Sequence, residues 1–120
     1  MRERLISICI PAYNRPEELG NLLDSIDCDP QDVEVIIIED CSPGRKKIRE
    51  VVKAFKLKTV FSVDYSENAS NLGFDGNLRA LVLAATGRFI LFMGDDDLFV
   101  RGSLDRYLTF LNEHRDLMRI

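Results

Sequence analysis

Tryptophan is absent from this 120-residue chain, histidine occurs once and cysteine three times. No apolar run approaches the roughly 20 residues that a membrane helix requires, so no span is expected. The start, Met1-Arg2-Glu3-Arg4, leads into no apolar signal segment, because Pro11 and Asn14 interrupt too early. Cys9, Cys28 and Cys41 are odd in number and form no Cys-x-x-Cys pair. That pattern fits a reducing, cytoplasmic setting, with Cys9 as a small core residue inside a strand pattern. His114 falls in a charged terminal helical pattern and reads as solvent-facing. The balance of 16 basic against 20 acidic residues, with no aromatic-interleaved basic stripe, argues against nucleic acid as the main partner. Two nucleotide motifs are missing as well. Without Gly-x-Gly-x-x-Gly after the first strand a dinucleotide site is disfavoured, and without a Gly-Lys-Ser/Thr loop a P-loop is excluded.

What the chain does have is three consecutive carboxylates, Asp95-Asp96-Asp97, directly after the apolar run Phe89-Ile90-Leu91-Phe92-Met93-Gly94. The run is short, aromatic and flanked by turn residues, which predicts a buried strand. At a separation of about 6 Å and an effective dielectric of about 20, each carboxylate pair costs roughly 3 kcal/mol. A turn alone needs no such cost. A divalent cation of hard oxygen preference removes the repulsion and bridges to phosphate oxygens. The plainer alternative is a solvated acidic turn.

The remaining pattern alternates strands with helices over a length that suits one domain. Leu5 to Ile10 reads as a strand stopped by Pro11. Pro16 starts a helix with Glu17 and Glu18 at its positive end, and Leu19, Leu22, Leu23 and Ile26 mark its buried face. Val33 to Ile38 is hydrophobic without alternation, as for a strand covered on both faces. A basic helix follows near Arg45 to Phe55; its Lys46, Lys47, Arg49 and Lys53 read as a solvated face rather than a phosphate patch. Thr59 to Val63 reads as a third strand, Asn68 to Gly73 as a polar turn and Phe74 to Ala85 as a helix, with Phe74 and the Leu81 to Ala85 stretch in the core. After the strand before the aspartates, Ser103 to His114 is a last helix. The expected fold is a three-layer α/β/α domain with a mostly parallel sheet and right-handed crossovers.

In open parallel sheets, ligands bind beyond the carboxyl ends of the strands. Three strand ends here are polar: Pro11-Ala12-Tyr13-Asn14-Arg15, Glu39-Asp40-Cys41-Ser42 and the aspartates. Their convergence would make one acidic pocket with an aromatic wall, able to hold a diphosphate only if a cation reverses the local field.

These residues resemble family 2 glycosyltransferases of the GT-A fold. Ser7-Ile8-Cys9-Ile10-Pro11-Ala12-Tyr13-Asn14-Arg15 is similar to that family's opening, and Ile36-Ile37-Ile38-Glu39-Asp40-Cys41-Ser42 to its Val-Val-Asp-Asp-Gly-Ser stretch. Asn71-Leu72-Gly73 and Ala85-Thr86-Gly87-Arg88-Phe89-Ile90 match its Asn-x-Gly and Ala-x-Gly-x-Tyr-Ile patterns. Gly94-Asp95-Asp96-Asp97 falls at its Asp-x-Asp motif. The order and spacings hold along the whole chain.

The resemblance implies transfer of a sugar from a nucleotide-diphosphate donor, usually a UDP-sugar, to an acceptor hydroxyl with inversion. By it, Tyr13 would stack on the base, the backbone around Pro11 and Ala12 would line the base pocket, and Asp40 would accept from a base N–H. Asp95 would face the ribose, Asp96 would bind Mn²⁺ or Mg²⁺, and Asp97 would be a neighbouring or water-mediated ligand. Asn71, Gly73 and Asn77 join the substrate-binding set, and Arg79 lies near it. Judged alone, Tyr13 could be packing, Asp40 an N-cap of the basic helix, and Asn71 and Gly73 a simple turn; Arg15 could meet a phosphate, but a helix-start surface arginine is more common.

This chain departs from the family where Gly94 stands for the motif's first aspartate, Glu39 for an aspartate and Cys41 for a glycine. By the same resemblance, residues 1–120 are one donor-binding domain of a longer enzyme. The catalytic base and the acceptor half would follow it, and the inner face of the plasma membrane is a suitable station for the whole protein. Three rivals remain at this stage. A sugar-1-phosphate nucleotidyltransferase needs a Gly-rich, basic loop after strand one; a metal-dependent phosphatase needs a carboxylate there; a non-catalytic interaction domain needs only the fold.

Overall fold

A computed structural model describes residues 4–114. Four parallel strands form one sheet in the order β3-β2-β1-β4: β1 is Ile6–Ala12, β2 Val33–Glu39, β3 Ser62–Glu67 and β4 Phe89–Phe92. Helices follow the strands: α1 over Pro16–Asp24, α2 over Arg45–Lys58, α3 over Gly73–Ala84 and α4 over Ser103–Glu113. A 3-10 turn at Pro30–Asp32 leads into β2.

Side-chain alternation along the strands assigns the two faces. Ile6, Ile8 and Ile10 of β1 and Val33, Val35 and Ile37 of β2 pack with Leu19, Leu22 and Leu23 of α1 and Ile48, Val52 and Phe55 of α2. Leu104 and Leu108 of α4 join the same cluster. On the opposite face Cys9, Ile36 and Ile38 meet Leu81 of α3. The expected three layers are therefore present, with the second layer of helix represented by α3 alone among the described residues. Ile90 and Phe92 on that face of β4 stay 39% and 44% exposed, so the sheet is only partly covered there.

Several elements differ from expectation. The third strand starts at Ser62, three residues later than predicted, and ends at Glu67. It is an edge strand, and alternation decides it: Phe61, Val63 and Tyr65 pack on the core while Ser62, Asp64 and Ser66 are exposed. Val60, counted toward that strand, is instead 79% exposed. β1 does not stop at Pro11 but runs through it to Ala12, with Pro11 paired to Ile38. The β4 ladder ends at Cys9, so no partner strand on that side asks Pro11 for a donor.

Of the stretch assigned to the core, Leu81 is fully buried but Phe74, Val82 and Leu83 are 69%, 47% and 87% exposed. The apolar run overfills the one stripe α3 can bury. His114, expected to face solvent, is half-buried, its ring stacked on Phe110 at 4.2 Å between centroids.

At the edge where strands begin, Gly87 fits against β1 so closely that a Cβ would lie 2.6 Å from Ser7 Oγ and 2.7 Å from Ser7 N. The Gly87 N–H donates to Ser7 Oγ at 2.7 Å, and the Ser7 hydroxyl donates to Glu34 at 2.5 Å. Burial pushes the Glu34 carboxyl up, but hydrogen bonds from Ser7 and Thr86 outweigh it and hold the group below the usual range.

Candidate functional site

The strand order reverses between β1 and β4, the place where an open parallel sheet parts its loops. A cleft of about 540 Å³ opens there. Pro11, Ala12 and Tyr13 after β1, Asp40 after β2 and Asp95 and Asp96 after β4 line it. Asn71, Gly73 and Asn77, between β3 and the first turns of α3, complete the wall. All the residues expected to contact substrate thus meet in one cleft, together with Asp96. Asp97 is exposed and outside the lining. Arg79 is exposed on α3 and likewise outside it.

The first wall is fixed by backbone. Beyond Ala12 the chain turns through Asn14 at φ 57°, a left-handed conformation that asparagine tolerates better than most residues. The Asn14 N–H donates to Ser42 Oγ at 3.0 Å, and Gly44 sits on Asn14 so tightly that a Cβ there would meet Asn14 Oδ1 at 2.8 Å. These contacts point the Tyr13 N–H at Asp95 Oδ2, 2.9 Å away, and leave the Tyr13 ring 47% exposed at the cleft. Asp95 itself is nearly buried. Burial pushes its carboxyl pKa up, the Tyr13 N–H and Arg15 pull it down, and Asp96 pushes it up again; the net direction is upward.

The turn after β4 explains the glycine in the motif. The Asp97 N–H donates to the Gly94 carbonyl at 3.0 Å, closing a tight turn. A Cβ on residue 94 would lie 2.8 Å from Asp97 Oδ2 and 3.3 Å from Asp96 Oδ1. Both carboxylates therefore fold over the bare glycine, and an aspartate at position 94 would displace them. The outer oxygen of Asp96 takes the Arg15 guanidinium, at 2.5 Å. Arg15 lines the cleft while its side chain stays about half exposed.

The second wall is a hydrogen-bond cluster around Asp40, which is 4% exposed. Its Oδ1 accepts the Leu72 N–H at 2.8 Å and Asn68 Nδ2 at 3.0 Å; neither bond uses Oδ2. Asp40 therefore holds the entry to α3 and does not cap α2, whose N-cap is Gly44 without a side-chain bond. Asn68 also donates to Asn77 Oδ1 at 3.1 Å, and Asn77 donates to the Ile38 carbonyl at 3.0 Å. Asn71 donates to the Asp40 carbonyl at 3.1 Å and accepts the Gly73 N–H at 3.0 Å. The amide groups of Asn71 and Asn77 are thus engaged in positioning Asp40. Gly73 supplies a φ of 79° where the chain enters α3.

Glu39 and Cys41, the two departures beside Asp40, have a local explanation. Glu39 is fully buried and accepts the N–H groups of Cys41 and Ser42, both at 2.8 Å. A shorter aspartate would reach this turn differently. Cys41 adopts φ 57°, the left-handed geometry that a glycine at this place takes without cost.

Sequence reasoning missed Phe74 as a cleft residue and weighed Arg15 as a phosphate contact only behind a surface role. Phe74 lines the same cleft, where its exposure replaces the burial expected of it. The only sequence signal for Arg15 was a cation near a predicted acidic corner.

Comparison with known proteins agrees with this geometry. The model of the family "Glycosyl transferase family 2" matches residues 7–118. The abequosyltransferase RfbV of Salmonella typhimurium is 34% identical over 116 residues, covering 94% of this chain and 34% of that protein. The poly(ribitol-phosphate) beta-N-acetylglucosaminyltransferase TarS of Staphylococcus aureus is 30% identical over 112 residues, covering 90% of this chain and 19% of TarS.

The crystal structure of TarS residues 1–349 superimposes with a TM-score of 0.81 at 26% identity, over 92% of this chain and 33% of that one; a further structure of it holds UDP. The mannosyltransferase PcManGT of Pyrobaculum calidifontis, solved with GDP-Man and Mn²⁺, shares the fold with a TM-score of 0.79 at 20% identity, over 92% of this chain and 33% of that one. The chain spans about a third or less of the length of RfbV and TarS. With the family model matched almost end to end, a parallel GT-A-like sheet and the cleft at its switch point, the chain belongs to glycosyl transferase family 2.

Proposed function

We propose that this chain is the donor-binding part of a glycosyltransferase, holding a nucleotide-diphosphate sugar, most simply a UDP-sugar, in the cleft between β1 and β4. One observation carries the reading: Tyr13, Asp40, Asp95 and Asp96, from three different loops, line a single recess at the strand ends. The exposed Tyr13 ring offers a stacking face for the base, and Pro11 and Ala12 offer backbone beside it. Asp40, anchored through Oδ1, presents its other carboxylate oxygen to a base N–H. Asp95 lies next in line, where the ribose follows the base.

A divalent cation, Mn²⁺ or Mg²⁺, fits the donor set present. Asp96 Oδ1 and Asp97 Oδ2 both flank the bare Gly94 position, the space a Cβ would fill. Among the described residues no three His, Cys, Asp or Glu side chains are placed to hold a metal by themselves. A cation of this kind commonly takes one or two carboxylates and completes its shell with substrate phosphate oxygens and water. When bound, it would act as a Lewis acid toward the diphosphate leaving group. The chain's own residues position the donor for attack by an acceptor hydroxyl on the anomeric carbon, from the face opposite the diphosphate. The reading places the protein on the cytoplasmic side; among the described residues no helix is long and apolar enough to cross a membrane.

Calorimetry with UDP, GDP and dTDP, with and without Mn²⁺, tests this. Metal-dependent binding of one nucleotide is expected, lost in Asp96→Asn with the fold intact. Failure of every nucleotide to bind in the presence of Mn²⁺ would favour a non-catalytic interaction domain, and equal binding by Asp96→Asn would remove Asp96 from the metal site.

A further inference from the structure

The basic residues are not spread evenly over the fold. Helix α2 carries seven of the 16 arginines and lysines and one of the 20 acidic residues, and all five lysines of the chain lie on it. Its buried stripe is Ile48, Val52 and Phe55, so Lys46, Lys53, Lys56 and Leu57 fall on the outer side and are exposed, with Glu50 the one carboxylate among them. Arg49 is engaged with Glu67, and Lys58 with Asp24 at 3.0 Å. Among the described residues no carboxylate pairs with Lys46, Lys47, Lys53 or Lys56.

Two further features belong to the same surface. Between α2 and β3 lies a shallow recess of about 340 Å³, lined by Lys53, Lys56, Leu57 and Tyr65 with the paired Arg49. Leu57 in that lining and Val60, three residues on, are 83% and 79% exposed, among the most exposed large apolar side chains of the described residues. Lysines flank Leu57 on both sides in sequence, at 56 and 58. A helix face that only needed solubility would not pair unpartnered lysines with projecting aliphatic groups. Anionic polymers in water would engage the lysines but leave Leu57 and Val60 unused. A bilayer of anionic phospholipid uses both: lysines meet headgroup phosphates, while aliphatic tips enter the acyl boundary.

We infer that the outer face of α2, with Leu57 and Val60 at its end, docks this protein on an anionic membrane surface. Val60 precedes β3 and Leu57 lies in the last turn of α2, at the sheet edge where strands begin; the cleft lies at the edge where they end. Docking through this patch therefore leaves the cleft open to water. The inference is independent of the nucleotide-sugar reading, since none of these residues lines the cleft.

Flotation of the full chain with vesicles tests it, comparing phosphatidylglycerol–phosphatidylcholine mixtures with pure phosphatidylcholine. Binding is expected only to the anionic vesicles, weakened by salt. Each lysine near an anionic surface is worth about fivefold in partitioning, so Lys53→Ala with Lys56→Ala should lower binding roughly 25-fold. Leu57→Ser with Val60→Ser should also lower binding, although it leaves every charge in place. Both pairs are exposed, and a melting curve beside each variant confirms that the fold persists. No binding of the parent to anionic vesicles would overturn the inference. So would unchanged binding after the Leu57 and Val60 substitutions, or capture by soluble polyphosphate without capture by vesicles.

Discussion

The Arg15 guanidinium closes on the Asp96 carboxylate, tying the loop before α1 to the turn after β4 across 81 residues of sequence. Both side chains are about half exposed, at 51% and 49%, so the pair is a solvated one. Exposed pairs are worth roughly 0.2–1 kcal/mol, which a divalent cation can readily overcome. Yet the carboxylate engaged here is the one proposed to hold that cation. Arg15 and metal therefore compete for Asp96. The Arg15→Ala variant should bind Mn²⁺, in the absence of nucleotide, up to about fivefold more tightly, with little change in thermal stability. Calorimetric titration with the metal alone checks this; an affinity equal to the parent's would show that the pair and the cation do not share the carboxylate.

Asp95 gives a prediction with a definite pH sign. Its pKa is raised in the folded protein, first by burial, so the native state binds a proton more readily than the unfolded chain. The charged group is thus a burden at neutral pH, and that burden is relieved as pH falls through the raised native value. Asp95→Asn keeps an oxygen for the Tyr13 N–H and removes the buried charge. Thermal melts should show the variant more stable than the parent at neutral pH, with the advantage shrinking in acid. An advantage that stays constant with pH would mean that charge burial is not its source.

The fold was legible wherever one rule dominated. β2 is covered on both faces and shows an unbroken apolar run; α1 repeats leucines at helical spacing. The failures share a different cause. Thr59 to Val63 misplaced β3 because hydrophobic content was weighed over alternation, and an edge strand with one wet face is marked by alternation. Phe74, expected in the core, follows Gly73 at φ 79° and meets the cleft instead. Pro11 does not stop β1, because the β4 ladder ends at Cys9 and asks it for no donor. At the site, motif spacing brought Tyr13, Asp40, Asp95 and Asp96 to one cleft, since strand ends in a parallel sheet share one edge, while Asp97 falls outside the lining. It could not show that Asn71 and Asn77 spend their amides on Asp40 and its surroundings. That depends on contacts between segments about 30 residues or more apart, as in Asn71 to Asp40 and Asn77 to Ile38.

Gly87 tests the packing at the other edge of the sheet. A methyl group there would press on Ser7 Oγ, Ser7 N and the Ile6 carbonyl carbon, all within 2.9 Å. Two of these are backbone atoms of the central strand β1, which cannot swing aside as a side-chain end does. Overpacking of this kind typically costs 1–3 kcal/mol, and about 2 kcal/mol or more is expected for Gly87→Ala because β1 must shift or the Gly87–Ser7 hydrogen bond must break. Urea unfolding should show a lower midpoint at an unchanged slope. A cost under about 0.5 kcal/mol would mean that the loop before β4 yields freely.

Cys41 offers the opposite test, a substitution expected to do no harm or to help. It stands at φ 57° immediately after Asp40, with its N–H held by Glu39 at 2.8 Å. A residue with a Cβ pays about 1–2 kcal/mol in the left-handed region, whereas glycine pays none. Glycine loses more backbone entropy on folding, which returns roughly 0.5–1 kcal/mol of that gain. The thiol contributes little to offset the balance, its nearest polar neighbours being the Ala69 carbonyl at 3.8 Å and the Arg45 guanidinium at 3.9 Å. Cys41→Gly should therefore raise stability by up to about 1 kcal/mol and leave the Asp40 cluster in place. Denaturant unfolding together with amide exchange at Leu72, whose N–H reports on Asp40, checks both halves. A clear loss of stability, with faster exchange at Leu72, would show that the Cys41 side chain holds this turn through contacts worth more than the backbone strain.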